Sequence, residues 1–339
     1  MKIAVIGAGA IGAYVGVRLA LAGEAVTFLA RGANLEALRA RGARLLLPDG
    51  SEQLAASVAA TADYAAAGPQ DLVILAVKAH QLEAVARDVP KLLGPQTAVV
   101  PMQNGIPYWY FHNYRGPFAG RRVDAVDPHG LISEHIPAAR VVGCVVYPAT
   151  ELVAPGVVKL IEGDRFPLGE PDGTRSERVM RIAECFGRAG FKAPVLDDIR
   201  SEIWLKLWGN LTFNPISALT GATLVDICED AGTRQLAVEM MTEAQEVARS
   251  FGVTMRVPLE KRIAGAAKVG RHKTSMLQDV EAGRALEIDA LLGAVVELAR
   301  LSATPTPHLD AVYALTRLMA QVAELERTGG PVALRTAGT

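Results

Sequence analysis

The opening stretch MKIAVIGAGAIG constrains the fold more than any other part of this chain. Lys2–Ile6 is an apolar run without polar alternation, the pattern of a parallel strand buried on both faces. Gly7-Ala8-Gly9-Ala10-Ile11-Gly12 follows with the spacing G-x-G-x-x-G, and residues 11–22 then carry a helical pattern closed by Gly23. Each glycine in this strand–turn–helix context has a separate task. The first permits the tight turn, the second lets backbone approach a pyrophosphate, and the third lets the helix pack closely on the strand. Exposed N–H groups at the helix start would bind the phosphate charge. The expectation is a dinucleotide-binding βαβ unit, with residues 7–12 (Gly7, Ala8, Gly9, Ala10, Ile11, Gly12) at the cofactor.

Which dinucleotide is read from the second strand, residues 25–30. NAD binders usually end this strand on Asp or Glu for the ribose 2′-OH. Here it runs into Arg31-Gly32 with no carboxylate, and a guanidinium pairs well with a 2′-phosphate. The expected cofactor is therefore NADPH. Two further apolar runs, residues 71–77 and 97–102, end in Lys78 (within VKAHQ) and in Gln103-Asn104-Gly105. Ligands of open parallel sheets bind beyond the carboxyl ends of the strands, so Lys78 and Asn104 are expected at cofactor or substrate. Asn-Gly is also ordinary turn chemistry, and His80 reads as a helix-surface residue.

With 339 residues, half of them hydrophobic, the chain suits two domains. A formal net charge of −1 gives no pull toward nucleic acid or anionic lipid, and no apolar run reaches the roughly 20 residues that span a bilayer. The start has no signal-peptide pattern, and the three cysteines are scattered, which reads as reduced core thiols in a cytoplasmic protein. The six histidines lack ligand spacing, so no metal is expected. Residues 141–147, 157–161 and 166–168 are further strand candidates, and 174–189 a helix. From about Asp197 the pattern is almost wholly helical: residues 199–213, 231–251, 258–268, 285–301 and 308–326. The expected architecture is an α/β Rossmann-type domain with a parallel sheet (1–196), an all-α domain (197–327), a cleft between them, and a tail (328–339).

The helical half opens with WLKLWGNLTFNP, residues 204–215. Lys206, Asn210 and Asn214 are each four apart and span only about 80° of the helix, while most of the remaining circumference is apolar. Lys206 could extend to the surface and the asparagines could bond nearby backbone. Three polar groups on one stripe of an otherwise buried helix point instead to a polar pocket. In a hydride transfer to a carbonyl, a lysine ammonium can stabilise and protonate the developing oxyanion. Asparagine amides can both donate to and accept from a substrate.

Taken together, GAGAIG, VKAHQ, QNG, IRSEIWLKLWGNLTFNPISALTG and KTSMLQDVEAGRALEID resemble the ketopantoate reductase (2-dehydropantoate 2-reductase) family over most of the chain. The resemblance implies NADPH-dependent reduction of 2-dehydropantoate to (R)-pantoate, in pantothenate synthesis, by a Rossmann-type domain followed by a helical one. It implies that Lys206 is the general acid and that Asn210 and Asn214 bind substrate. It places Asn104 at both cofactor and substrate, Arg31 at the 2′-phosphate and Lys78 near the cofactor. It gives Ser275 the substrate carboxylate and Glu287 a place beside nicotinamide and lysine, as a catalytic and cofactor-binding residue. By position alone, Ser275 could be a helix N-cap and Glu287 a solvated helix carboxylate. Two departures fall near the substrate. Residues 106–139 form a long connection with an aromatic run, Tyr108 to Phe111, readable as a lid, an interface or a divergent surface loop. An asparagine some members carry beyond the second helical one is missing, with Leu224 near its place. The alternatives are a reductase of another bulky 2-oxo acid and a non-catalytic NADP(H)-binding redox sensor; a homodimer is left open.

Overall fold

Lys2–Ile6 forms the first strand, β1, with four of its five residues buried, as a two-faced apolar run requires. In the computed structural model, which describes residues 1–328, the chain divides into two units, Met1–Ile203 and a second beginning at Trp204. After β1 the first unit runs through α1 (Ala10–Leu21), β2 (Ala25–Leu29), α2 (Gly32–Arg41), β3 (Ala43–Leu46), β4 (Glu52–Ala55) and β5 (Ala59–Thr61). It continues with α3 (Tyr64–Ala67), β6 (Gln70–Leu75), α4 (Leu82–Ala86), β7 (Leu93–Pro101) and α5 (Leu131–His135). Then come β8 (Gly143–Cys144), β9 (Ala149–Ala154), β10 (Val157–Glu162), β11 (Leu168–Gly169) and α6 (Glu177–Arg188).

The main sheet has the order β5-β2-β1-β6-β7, and every pairing in it is parallel. Ile3 pairs with Val26 on one side and with Leu72 on the other, so β1 is the central strand. A parallel bridge from Val99 to Val141 extends the sheet beyond β7. The strand order reverses at β1, next to β6, the switch point where such sheets open a crevice at their carboxyl edge. A second sheet, β4-β3-β10-β9, lies on the other side of α1. That position explains why α1 is buried nearly all round, from Gly12 to Val17. Residues 141–147, expected to form one strand, contribute only Gly143–Cys144 as β8, although 141–146 are all buried.

The long connection after Asn104 is not a surface loop in its aromatic part. Tyr108, Trp109, Tyr110 and Phe111 are all buried, and Phe111 makes edge contacts with Tyr110 and Tyr114. Arg200 fastens this segment from within the same unit. Its Nε donates to the Tyr110 carbonyl at 2.8 Å, its Nη2 to that of His112 at 2.5 Å, and its Nη1 to that of Pro171.

The boundary between the units falls inside α7 (Ile199–Thr220), which runs seven residues beyond its expected end at Phe213, past Pro215. The second unit continues with α8 (Leu224–Glu229), α9 (Ala231–Ser250), α10 (Leu259–Lys268), α11 (Ser275–Glu281), α12 (Ala294–Leu301) and α13 (Pro307–Thr328). Its core gathers Trp208 and Leu211 of α7 with Met240, Met241 and Ala244 of α9 among its buried residues. Trp208 Nε1 donates to the Met241 carbonyl at 2.7 Å, satisfying its one polar atom. The expected helix over 285–301 is instead broken up. Residues 284–287 are not helical, and a π-helical turn, Asp289–Gly293, precedes α12. The expected tail, apart from Thr328 at the end of α13, lies outside the described residues.

No described helix is long and apolar enough to cross a membrane. The cysteines Cys144, Cys185 and Cys228 are buried free thiols. Burial, reinforced by Glu24, pushes the Cys185 thiol up to about 12. No metal-binding group of His, Cys, Asp and Glu occurs among the described residues.

Candidate active site

The expected cofactor residues of the first unit all follow carboxyl ends of parallel strands, and so share one edge of the sheet. Residues 7–12 follow β1, Arg31 follows β2, Lys78 follows β6, and Asn104 follows β7. Gly7 has φ +97°, which favours glycine, and its N–H donates to the Leu29 carbonyl at 3.0 Å. At Gly12 a Cβ would stand 1.9 Å from the Gly7 carbonyl oxygen, so the helix can approach the strand only without a side chain there. Gly9 is the opposite case. It has an ordinary extended backbone as N-cap of α1, its side-chain direction meets nothing within 4 Å, and no side chain caps the helix start. Uncapped N–H groups beside an open approach are what a pyrophosphate needs, so the residues fit a dinucleotide.

Two amides that sequence reasoning did not single out hold this edge. Asn34, on α2, donates through Nδ2 to the Ala8 carbonyl at 3.1 Å, and its Oδ1 accepts from the Gly156 N–H at 3.1 Å. It ties the glycine turn to the β9–β10 turn. Gln103 donates through Nε2 to the carbonyls of Leu75 (2.9 Å) and Val77 (2.8 Å), holding the segment that carries Asn104 against the one that carries Lys78. Arg31 is exposed at the N-cap of α2, while Lys78 and Asn104 are half-buried. Near Arg31, the Tyr64 phenol is pushed up to about 12 by burial and by Asp88, against the opposing effect of Arg31.

In the second unit, α7 carries Lys206, Asn210 and Asn214 on one stripe. Lys206 and Asn210 are half-buried and Asn214 is buried, at 7% exposure, while Trp204, Leu207, Trp208 and Leu211 are buried around them. Pro215 has no N–H to donate back into the helix, so the Leu211 carbonyl loses its usual partner beside Asn214. Ser275 is the first residue of α11 and is exposed. The cap is the preceding Thr274, whose side chain accepts from the Leu277 N–H, so Ser275 is not needed to end the helix. Glu287 is half-buried in the non-helical stretch just before the π turn, a feature often found at functional positions. Arg284 in the same stretch is anchored by its Nε to Asp279 Oδ1 of α11 at 2.8 Å. Leu224 is the first residue of α8, and its N–H donates to the His272 carbonyl.

Chemically, the first unit offers a phosphate-binding turn with a cation at the end of β2. The second offers an amine and two amides on one helix face, with a hydroxyl and a carboxylate at the starts of other helical segments. Family models match in two parts. The model described as ketopantoate reductase PanE/ApbA covers residues 3–173, and that of the ketopantoate reductase PanE/ApbA C terminal covers residues 198–320. A 2-dehydropantoate 2-reductase from Mesorhizobium japonicum is 56% identical over 321 residues, covering 94% of this chain and 98% of that protein. A 2-dehydropantoate 2-reductase from Pyrococcus horikoshii is 30% identical over 94% of this chain and 97% of its own length. Among solved structures, a Ralstonia solanacearum MolK2 protein assigned provisionally as a ketopantoate reductase superposes with a TM-score of 0.91 at 46% identity, covering 95% of this chain and 98% of that one.

Proposed function

The chain belongs to the ketopantoate reductase family, NAD(P)H-dependent oxidoreductases, and from that premise we propose that it reduces 2-dehydropantoate to (R)-pantoate with NADPH. The observation that carries this reading is the stripe of Lys206, Asn210 and Asn214 on a helix otherwise buried in apolar contacts. Bound NADPH supplies the hydride that adds to the C2 ketone carbon. Lys206 gives its ammonium proton to the resulting alkoxide and regains one from solvent, so the net reaction consumes one NADPH and one proton. Asn210 and Asn214 orient the substrate's oxygens, and Ser275 bonds its carboxylate. Glu287 positions Lys206 or the cofactor. Asn104 serves both ligands, residues 7–12 hold the pyrophosphate, and Lys78 contributes positive charge. Arg31 pairs with the 2′-phosphate, which makes NADPH the cofactor rather than NADH.

A redox sensor needs no general acid, so the lysine–amide stripe favours catalysis. The test is consumption of NADPH by the purified protein across a panel of branched and bulky 2-oxo acids. Turnover should be most efficient with 2-dehydropantoate. Turnover with another 2-oxo acid but not with this one would assign the chain a different substrate. NADPH binding without turnover of any would favour the sensor.

A further inference from the structure

Beside the Lys206 stripe, α7 is overlain by an arginine to which neither the motifs nor the resemblance gave a role. Gly209 has no side chain, and the guanidinium of Arg262, from α10, occupies the space one would fill. A Cβ at position 209 would stand 2.5 Å from Nη2, 3.2 Å from Cζ and 3.4 Å from Nε of Arg262. Contact with three guanidinium atoms means that the charged head itself, not the aliphatic stem, lies against the helix there. Gly209 is three residues after Lys206 and one before Asn210. Residues three apart are neighbours on a helix surface, with about 5–6 Å between Cβ positions. The guanidinium and the root of the Lys206 side chain therefore share one patch, on a helix whose other faces carry the buried Leu207, Trp208 and Leu211.

Two half-buried cations in one patch attract an anion placed against both. The substrate class proposed above carries such an anion, the carboxylate next to the reacting ketone. The planar fork of arginine matches a carboxylate with two parallel N–H···O bonds, which a lysine cannot reproduce. We propose that Arg262 binds the substrate carboxylate and selects 2-oxo acids over uncharged ketones, and that Gly209 is the gap that admits its guanidinium to α7. This inference rests on the 2-oxo acid reading. Within that reading Ser275 supplies a neutral hydroxyl to the same carboxylate, and Arg262 supplies the opposing charge.

The test compares steady-state kinetics of wild type, Arg262→Met, Arg262→Lys and Gly209→Ala with 2-dehydropantoate. Loss of hydrogen bonds to a charged group should raise the KM of Arg262→Met for the keto acid by about 10- to 100-fold. A contact made equally in ground and transition states leaves kcat little changed. The KM for NADPH and the Tm should stay near wild type. Arg262→Lys should recover part of the loss. Gly209→Ala, which keeps the arginine but fills its place, should reproduce the rise. If Arg262→Met proves unfolded, Arg262→Lys and Gly209→Ala decide the matter by the same KM. An unchanged KM for the keto acid in folded variants overturns the role of Arg262 and leaves the reductase reading standing. Wild-type protein that reduces no 2-oxo acid overturns that reading and this inference with it.

Discussion

Gly9 and Gly12 sit three residues apart in one turn, yet alanine should act on them through different physics. At Gly12 the new Cβ would lie 1.9 Å from the Gly7 carbonyl oxygen and 3.0 Å from the Ala76 Cβ. Backbone is the obstacle, so the start of α1 must retreat from β1 by more than an ångström. Overpacking of this kind costs about 1–3 kcal/mol, and the same displacement moves the N–H groups proposed to hold the phosphate. Gly12→Ala should therefore lower both Tm and NADPH affinity. At Gly9 nothing lies within 4 Å of the added methyl, and φ −74° suits alanine. Gly9→Ala should leave Tm unchanged or slightly raised, while the methyl occupies the approach proposed for the pyrophosphate. A methyl forced against a bound pyrophosphate costs about 1–3 kcal/mol, as overpacking does, so NADPH affinity should fall by about one to two orders of magnitude. Thermal melts without ligand, paired with titration of NADPH fluorescence, separate the two effects. Wild-type NADPH affinity in Gly9→Ala would show that no pyrophosphate lies over this turn, and would refute the reasoning.

Arg31→Ala should weaken NADPH far more than NADH, measured as the ratio of their dissociation constants; equal losses would remove Arg31 from the 2′-phosphate. Glu202, buried in the first turn of α7, accepts from Arg165 Nη1 at 2.6 Å and from the Tyr147 hydroxyl at 2.9 Å. Because Arg165 is 40% exposed and partly screened, Glu202→Ala should cost about 2–3 kcal/mol in a urea melt, and an unchanged midpoint would count against a structural role for this cluster. The phenols of Tyr64, Tyr147 and Tyr313 are each pushed up from 10 to about 12, first by burial. The native state thus keeps these protons to higher pH than the unfolded chain does. Their contribution is complete below pH 10 and lost as pH rises toward 12. Urea stability should fall across that window and fall less steeply in Tyr147→Phe; identical slopes would contradict the assignment.

The parts legible in the sequence were those with strong local physics. Lys2–Ile6 could only be a two-faced strand, and the glycine spacing fixed the turn after it. The period of α7 exposed its polar stripe, although Pro215 made the helix look shorter than it is. What stayed hidden depends on distant partners. β3, β4 and β5 are only three or four residues long and become strands through pairing, too short for their own pattern to mark them. Asn34 and Gln103 bond backbone carbonyls far along the chain, which no spacing announces. Thr274 and Ser275 are both good caps in sequence, and only the hydrogen bond to Leu277 decides between them. The break before Asp289 was invisible because its residues continue a helical pattern. Gly209 carries no signal in the sequence, because Arg262, 53 residues on, is what lies against it.

The proposed role of Lys206 as proton donor to a reduced ketone is open to one direct measurement. NADPH consumption with 2-dehydropantoate should be followed for wild type and Lys206→Ala at saturating cofactor, with NADPH affinity measured alongside. Loss of a general acid should lower kcat by about 10²- to 10⁴-fold with NADPH affinity unchanged. A Lys206→Ala enzyme that turns over near the wild-type rate would contradict the mechanism.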